Sequence, residues 1–176
     1  MATSSKIKII LAEGDTEVSF FQKMKREGRV GFKSIVKKNL WQDCIKSYAI
    51  TIPRGCDLLV IFDTDKLGQI ERFISNVRFL SSRGHNVYLL QQKNNFEEEL
   101  AWSCDKSVAK LIAEFCAKKT SGVNDFKRDF IACKNPLPKL IRLGMTDTRW
   151  FARDLHESLH SLVKMKSSFK KHFSLG

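Results

Sequence analysis

Asp57-Leu58-Leu59-Val60-Ile61-Phe62-Asp63 is the stretch that decides the fold. Its apolar interior is unbroken, the pattern of a strand covered on both faces, which marks it as the central strand of a parallel sheet. Upstream, Lys6 to Ala12 reads as another strand, running into the turn Glu13-Gly14-Asp15-Thr16. Thr16 is the expected cap of a helix that starts near Glu17, turns Val18, Phe21 and Met24 inward and fades at Gly28. A short strand over Phe32 to Val36 and a helix from about Trp41 to Tyr48 follow, before Pro53 and Gly55 break the pattern. Downstream, Gly68 closes a loop, and Ile70, Phe73, Ile74, Val77 and Leu80 fall at helical spacing up to Arg83-Gly84. Asn86 to Gln91 is the next strand. Strands alternating with helices in this way predict an α/β fold with a mostly parallel sheet flanked by helices.

Beyond Phe96 the pattern turns helical, over Glu97 to Cys104, Val108 to Phe115, Leu137 to Leu143 and a long stretch from Asp147 to roughly Phe169. The chain therefore divides into a core over residues 1–105 and a basic, helical C-terminal third over 106–176, packed on the same domain. Its 176 residues, 43% apolar with thirteen Phe, suffice for one compact domain. The apolar run Ile7 to Ala12 is too short for a signal sequence or a membrane span, so a cytoplasmic protein with no membrane partner is expected. Cys44, Cys56, Cys104, Cys116 and Cys133 are odd in number and include no C-x-x-C pair, which argues against a disulfide framework or a zinc knuckle.

A formal charge of +12 favours polyanionic partners, above all nucleic acid. Residues 18–54 hold nine bases against two acids, residues 134–176 nine against three, and residues 55–105 five against eight. Acids gathered into short clusters within a basic surround are what a metal site needs when its substrate is a phosphate chain. Those clusters fall beyond the carboxyl ends of the strands, where open parallel sheets bind ligands. Glu13 follows the first strand, Asp63 and Asp65 end the central one, and Glu97 to Glu99 come soon after the last. Carboxylates in such company repel unless a cation sits among them, and an all-oxygen ligand set suits Mg²⁺ or Mn²⁺. Asp63 and Asp65, two apart in an extended segment, point to one side. Glu13 and Glu17 bracket the strand-to-helix turn, and Gly14 is expected to let the backbone there approach a phosphate.

Glu13-Gly14-x-Thr16-Glu17 after one hydrophobic strand and Asp63-x-Asp65 after another resemble the TOPRIM domain shared by topoisomerases, primases and nucleases of the OLD and RloB kinds. The Glu-Gly-x-Thr-Glu form, with Asn95-Phe96-Glu97 opening a later helix, is most similar to the OLD and RloB branch. The resemblance covers roughly the first hundred residues. It implies Glu13 as a metal-binding or acid/base glutamate, Asp63 and Asp65 as metal ligands, Glu17 as an additional ligand and Glu97 as the acid after the last strand. In the RloB-like pattern a Pro stands near the position of Asn95, with an aromatic soon after the Glu. Here three glutamates follow Phe96, and helical geometry favours Glu97 over Glu98 and Glu99 as the one facing the metal. Neither Tyr48 nor Tyr88 is placed as a topoisomerase nucleophile, and no zinc module accompanies the domain as in a primase. What remains is metal-dependent phosphodiester cleavage in DNA or RNA, in keeping with a bacterial or phage defence effector that works alone or with an ATPase partner. The alternative is a TOPRIM-like module that binds nucleic acid or a partner without chemistry.

Blander readings stand beside these. Glu17 is also what a first helical turn prefers, and three glutamates at a helix start are ordinarily solvated. Lys93, one strand end from the acids, is a candidate to neutralise a transition-state oxygen, though a lone lysine is usually surface. Lys164, Lys166, Lys170 and Lys171, interleaved with Met165 and Phe169, are candidates for a helix that grips nucleic acid. Arg149 and Arg153 could add stacking, Trp150 reads as core, and His156 and His160 as surface.

Overall fold

The computed structural model describes residues 7–65, 67–117 and 122–173. Four parallel strands form one sheet in the order β2-β1-β3-β4, with β1 at Lys8–Ala12, β2 at Ser34–Lys37, β3 at Asp57–Phe62 and β4 at Asn86–Gln91. β3 lies inside, paired to β1 from Lys8↔Asp57 to Ala12↔Ile61 and to β4 from Asp57↔Asn86 to Phe62↔Gln91. Strand alternation sends Ile10, Ala12, Leu59, Ile61 and Leu90 into one core and Ile9, Leu11, Leu58, Val60, Phe62 and Leu89 into another. Both faces of the sheet are thus covered, as the unbroken apolar run of β3 requires. Lys6, where the first strand was expected to begin, lies outside the described residues.

The first face carries α1 (Asp15–Arg26) and four helices from the second half of the chain: α4 (Phe96–Ser103), α5 (Val108–Phe115), α6 (Val123–Ala132) and α7 (Pro136–Arg142). Phe20, Phe21, Phe96, Phe126, Phe130 and Trp150 meet there with ring centroids 5.2–5.9 Å apart. Residues beyond 105 therefore contribute to the same core as β1 and α1. The second face is covered by α2 (Lys46–Ala49), α3 (Ile70–Ser82) and a 3-10 helix over Glu157–Met165. Among the described residues no helix is long and apolar enough to cross a membrane.

Several local expectations are corrected. α1 begins at Asp15 with Gly14 as its N-cap, so Thr16 lies buried in the first turn instead of capping it. Between Trp41 and Tyr48 a turn braced by the Asn39 side chain, which accepts from the Trp41 and Gln42 backbone N–H groups, replaces most of the expected helix. α6 was not foreseen. The long helix from Asp147 is absent: the chain there is irregular until Glu157, and then winds as a 3-10 helix whose Leu159 and Leu162 are buried and whose Met165 is partly so, an i, i+3, i+6 pattern. α8 (Phe169–His172) is a single turn. Just before it the Ser167 N–H donates to the Leu89 carbonyl at 2.9 Å, and Lys166 bridges to Leu89 in parallel, so this segment lies along the outer edge of β4.

Candidate metal centre

β1 and β3 are neighbours in register, so the residues just past their carboxyl ends emerge side by side. Glu13 and Asp63 occupy those positions. The Glu13 carboxylate accepts from the Asp63 backbone N–H at 3.1 Å and, through its other oxygen, from Asn39 Nδ2 at 2.7 Å. Asp65, exposed two residues on, completes a triad in which one carboxylate oxygen from each of Glu13, Asp63 and Asp65 lies within 4.8 Å of the others. That spread matches oxygens arranged around one hard cation, whose ligand distances are about 2.0–2.6 Å.

Glu13 and Asp63 of the triad line a cavity of about 410 Å³ whose walls also include Glu17 and Glu97. Glu17 reaches it from the first turn of α1 and Glu97 from the first turn of α4, and they are only 4% and 2% exposed. The electrostatics are those of crowded, dry carboxylates. Burial first, and then the charges of Glu17, Glu13, Asp65 and Glu97, push the Asp63 carboxyl up to about 9. Burial likewise raises Glu17 to about 7, its own backbone hydrogen bond opposing and Glu97 and Glu13 adding to the rise. Asp63 Oδ1 is buried with no hydrogen-bond partner, and buried Glu97 Oε1 has only the Lys127 ammonium, at 3.6 Å and beyond hydrogen-bond distance. A buried acceptor that finds no donor is costly, and a divalent cation supplies what these oxygens lack. The residues thus fit a hard, oxygen-preferring ion.

The rest of the α4 start is assigned to other work. Glu98 accepts from the amide groups of Asn94 and Asn95 at 2.8 and 3.4 Å. Glu99, fully buried, accepts the backbone N–H of Lys93 and of Phe151 at 2.9 and 2.8 Å and pairs with Arg153 at 2.8 Å. Lys93 itself does not join the acids: its side chain is exposed and lines a different cavity. The cation that does face them is Lys127 of α6, with Nζ 3.6 Å from Glu97 Oε1, and Lys37 stands at the mouth of the cavity, 2.7 Å from Asp15. Neither was singled out from sequence, nor was Asn39. The one signal for Lys127 was its place between Phe126 and Phe130, four apart in an otherwise charged segment.

Gly14 has a packing role that its place in the turn did not reveal. A Cβ there would come within 2.6 Å of Glu17 Oε2, so the missing side chain makes room for a carboxylate of the cavity. The four C-terminal lysines do not share one helix. Lys164 lies in the last turn of the 3-10 segment, Lys166 pairs with Asp154, and Lys170 and Lys171 lie in α8 with Lys171 Nζ 5.2 Å from the Tyr88 ring centroid. His156 caps the 3-10 helix through its side chain, which accepts from the Ser158 backbone N–H. The chain matches no protein-family model, no curated protein and no solved structure.

Proposed function

We propose that the chain is a metal-dependent nuclease that uses Mg²⁺ or Mn²⁺ to cleave phosphodiester bonds in nucleic acid, acting as a bacterial or phage defence effector. The observation that carries this reading is the convergence of Glu13, Asp63 and Asp65 on one point at the sheet rim, where a buried oxygen of Asp63 has no hydrogen-bond donor. Glu13, Asp63 and Asp65 would hold one cation, and Glu17 and Glu97 extend the ligand set deeper into the cavity. A bound divalent ion supplies Lewis acidity at phosphorus and a water acidified toward neutral pH. The chain's own residues do the rest. Asn39 and the Asp63 N–H fix both oxygens of Glu13, so its carboxylate is oriented before any ligand arrives. Lys127 and Lys37 bring positive charge to the cavity, where a phosphate needs neutralising. The net charge of +12 draws the polyanion in. The motif resemblance to the OLD and RloB branch adds support and points to an ATPase as the partner.

The test is incubation with supercoiled plasmid, single-stranded DNA and total RNA in Mg²⁺, Mn²⁺ or EDTA. Cleavage is expected with metal, absent in EDTA, and lost in Asp63→Ala. Cleavage that Asp63→Ala leaves unchanged, or no metal-dependent cleavage of any substrate with or without a co-purifying ATPase, defeats the proposal.

A further inference from the structure

A second cavity, of about 330 Å³, lies on the other side of the α4 start. Glu97 faces the acidic cavity, whereas the next residues along α4, Glu98, Ala101 and Trp102, face this one. Both belong to the same rim of the sheet, since the Asn94 carbonyl beside Lys93 accepts the backbone N–H of Thr64, the residue between Asp63 and Asp65, at 3.0 Å. Trp102, Ala101 and Val108 give the cavity an apolar wall, and Lys93, Lys106 and Ser107 give it a polar margin.

Its two acids are already occupied. Glu98 is held by the Asn94 and Asn95 amides, and Asp105 by Arg149 at 3.0 Å. Among the described residues neither Lys93 nor Lys106 makes an ion pair. The indole has a charged neighbour of its own. Arg153, anchored by buried Glu99, covers it with its guanidinium carbon 4.5 Å from the ring centroid. An aromatic ring backed by a guanidinium, part of it facing a cavity edged by two lysines that make no ion pair, Lys106 donating only to the Asp105 carbonyl at 3.4 Å, combines a stacking surface with phosphate-binding charge. The cavity is also the right size for a small planar ligand, at the lower end of the usual range of about 300–1,000 Å³.

We infer that this cavity takes an unpaired nucleobase of a nucleic-acid strand, stacked on Trp102 with its flanking phosphates on Lys93 and Lys106, next to the nucleotide whose phosphate meets the carboxylate cluster. The inference rests on the nuclease reading for the identity of the strand. It adds that the substrate is single-stranded, or opened, at this position, because a base paired inside a duplex has no free face to offer.

The sequence makes the test direct. Of three tryptophans, Trp41 and Trp150 are 1% and 0% exposed, and Trp102 alone is half-buried. In EDTA, which withholds the metal that cleavage would need, a thymine homopolymer of about ten nucleotides is titrated against the full chain while tryptophan emission and the anisotropy of a labelled strand are followed. Emission is expected to change on binding, and Trp102→Ala to weaken binding roughly tenfold or more, as loss of a base-stacking aromatic does. Trp102→Phe, which keeps a ring, is expected to restore most of the affinity, so a folding defect is separated from a lost stack. Lys106→Ala is expected to reduce the salt dependence of binding. A blunt duplex that binds with the same Trp102 dependence, thymidine monophosphate that binds as tightly as the strand, or Trp102→Ala that binds like the unaltered chain would each overturn the inference. Cleavage that proceeds without Trp102-dependent binding removes this inference alone. Trp102-dependent binding by a chain that cleaves nothing removes the nuclease reading alone.

Discussion

Asp63 has a buried oxygen without a hydrogen-bond donor and four carboxylates acting on it, and both facts make its charge unwelcome in the metal-free fold. In the unfolded chain Asp63 and Glu17 lose their protons near 3.8 and 4.5, but in the fold only near 9 and 7. Across that interval the fold retains protons the unfolded chain has released, so these two groups make stability fall as pH rises from about 4 through 7 and on toward 9. Thermal melts in EDTA between pH 5 and 9 are expected to show this decline, and saturating Mg²⁺ or Mn²⁺ to flatten it by ionising the carboxylates in place. Identical pH profiles with and without metal would contradict the site. Asp63→Asn is expected to abolish metal-induced stabilisation yet to melt higher than the unaltered protein in EDTA at pH 8, each kcal/mol relieved raising the midpoint about 2–4 °C. Glu13 and Asp63 were legible in the sequence because the ends of their strands were. Lys127 was not, since nothing local to α6 says which way its polar face looks, and the burial that aims Lys127 at Glu97 is set by contacts with α1.

At the scale of elements, the strand-to-helix joints decide the site. Gly14 has an extended backbone, φ −118° and ψ 166°, that alanine adopts freely, so Gly14→Ala collides only with the Glu17 carboxylate. Stability in EDTA is expected to change by less than about 1 kcal/mol, while divalent-metal affinity, followed calorimetrically, drops roughly tenfold. Unchanged affinity would mean Glu17 is no ligand. The β4–α4 joint is tied instead by Glu99, whose buried carboxylate holds the Lys93 and Phe151 backbones and Arg153. Removing the guanidinium leaves that charge uncompensated. Arg153→Met is expected to cost on the order of 3–5 kcal/mol by chemical denaturation, and adding Glu99→Gln to recover part of it, because the amide removes the buried charge and its one oxygen still accepts from one of the two backbone N–H groups. No recovery would assign Arg153 to packing alone. Two of the elements misread from sequence carried a weak or misleading periodicity. α6 buries little beyond Phe126 and Phe130, too sparse for a periodic signal, and the segment holding Leu159, Leu162 and Met165 was taken for part of an α-helix although its repeat is three.

For the molecule as a whole, the parallel sheet with β3 inside it was the most readable feature, because the continuous apolar run of β3 and the turns beside it leave few alternatives. The division at residue 105 was less informative: the aromatic core joins Phe20 and Phe21 to Phe126, Phe130 and Trp150, so the second half of the chain completes the hydrophobic layer on α1. A fragment ending at 105 is accordingly expected to show no cooperative melt, which differential scanning calorimetry would reveal, whereas a sharp transition would show that the first half stands alone. Net charge acts at this scale too. Nucleic-acid affinity is expected to fall steeply with salt, and Lys166→Ala to leave the slope nearly unchanged, since that ammonium is already turned to Asp154. The strip at Lys166 and Ser167 has a role of its own. By lying against Leu89 it closes a margin of the sheet whose free amides and carbonyls would otherwise be an open template for a second molecule. Loosening those few residues would leave the carboxylate rim intact and give the protein a tendency to polymerise edge to edge.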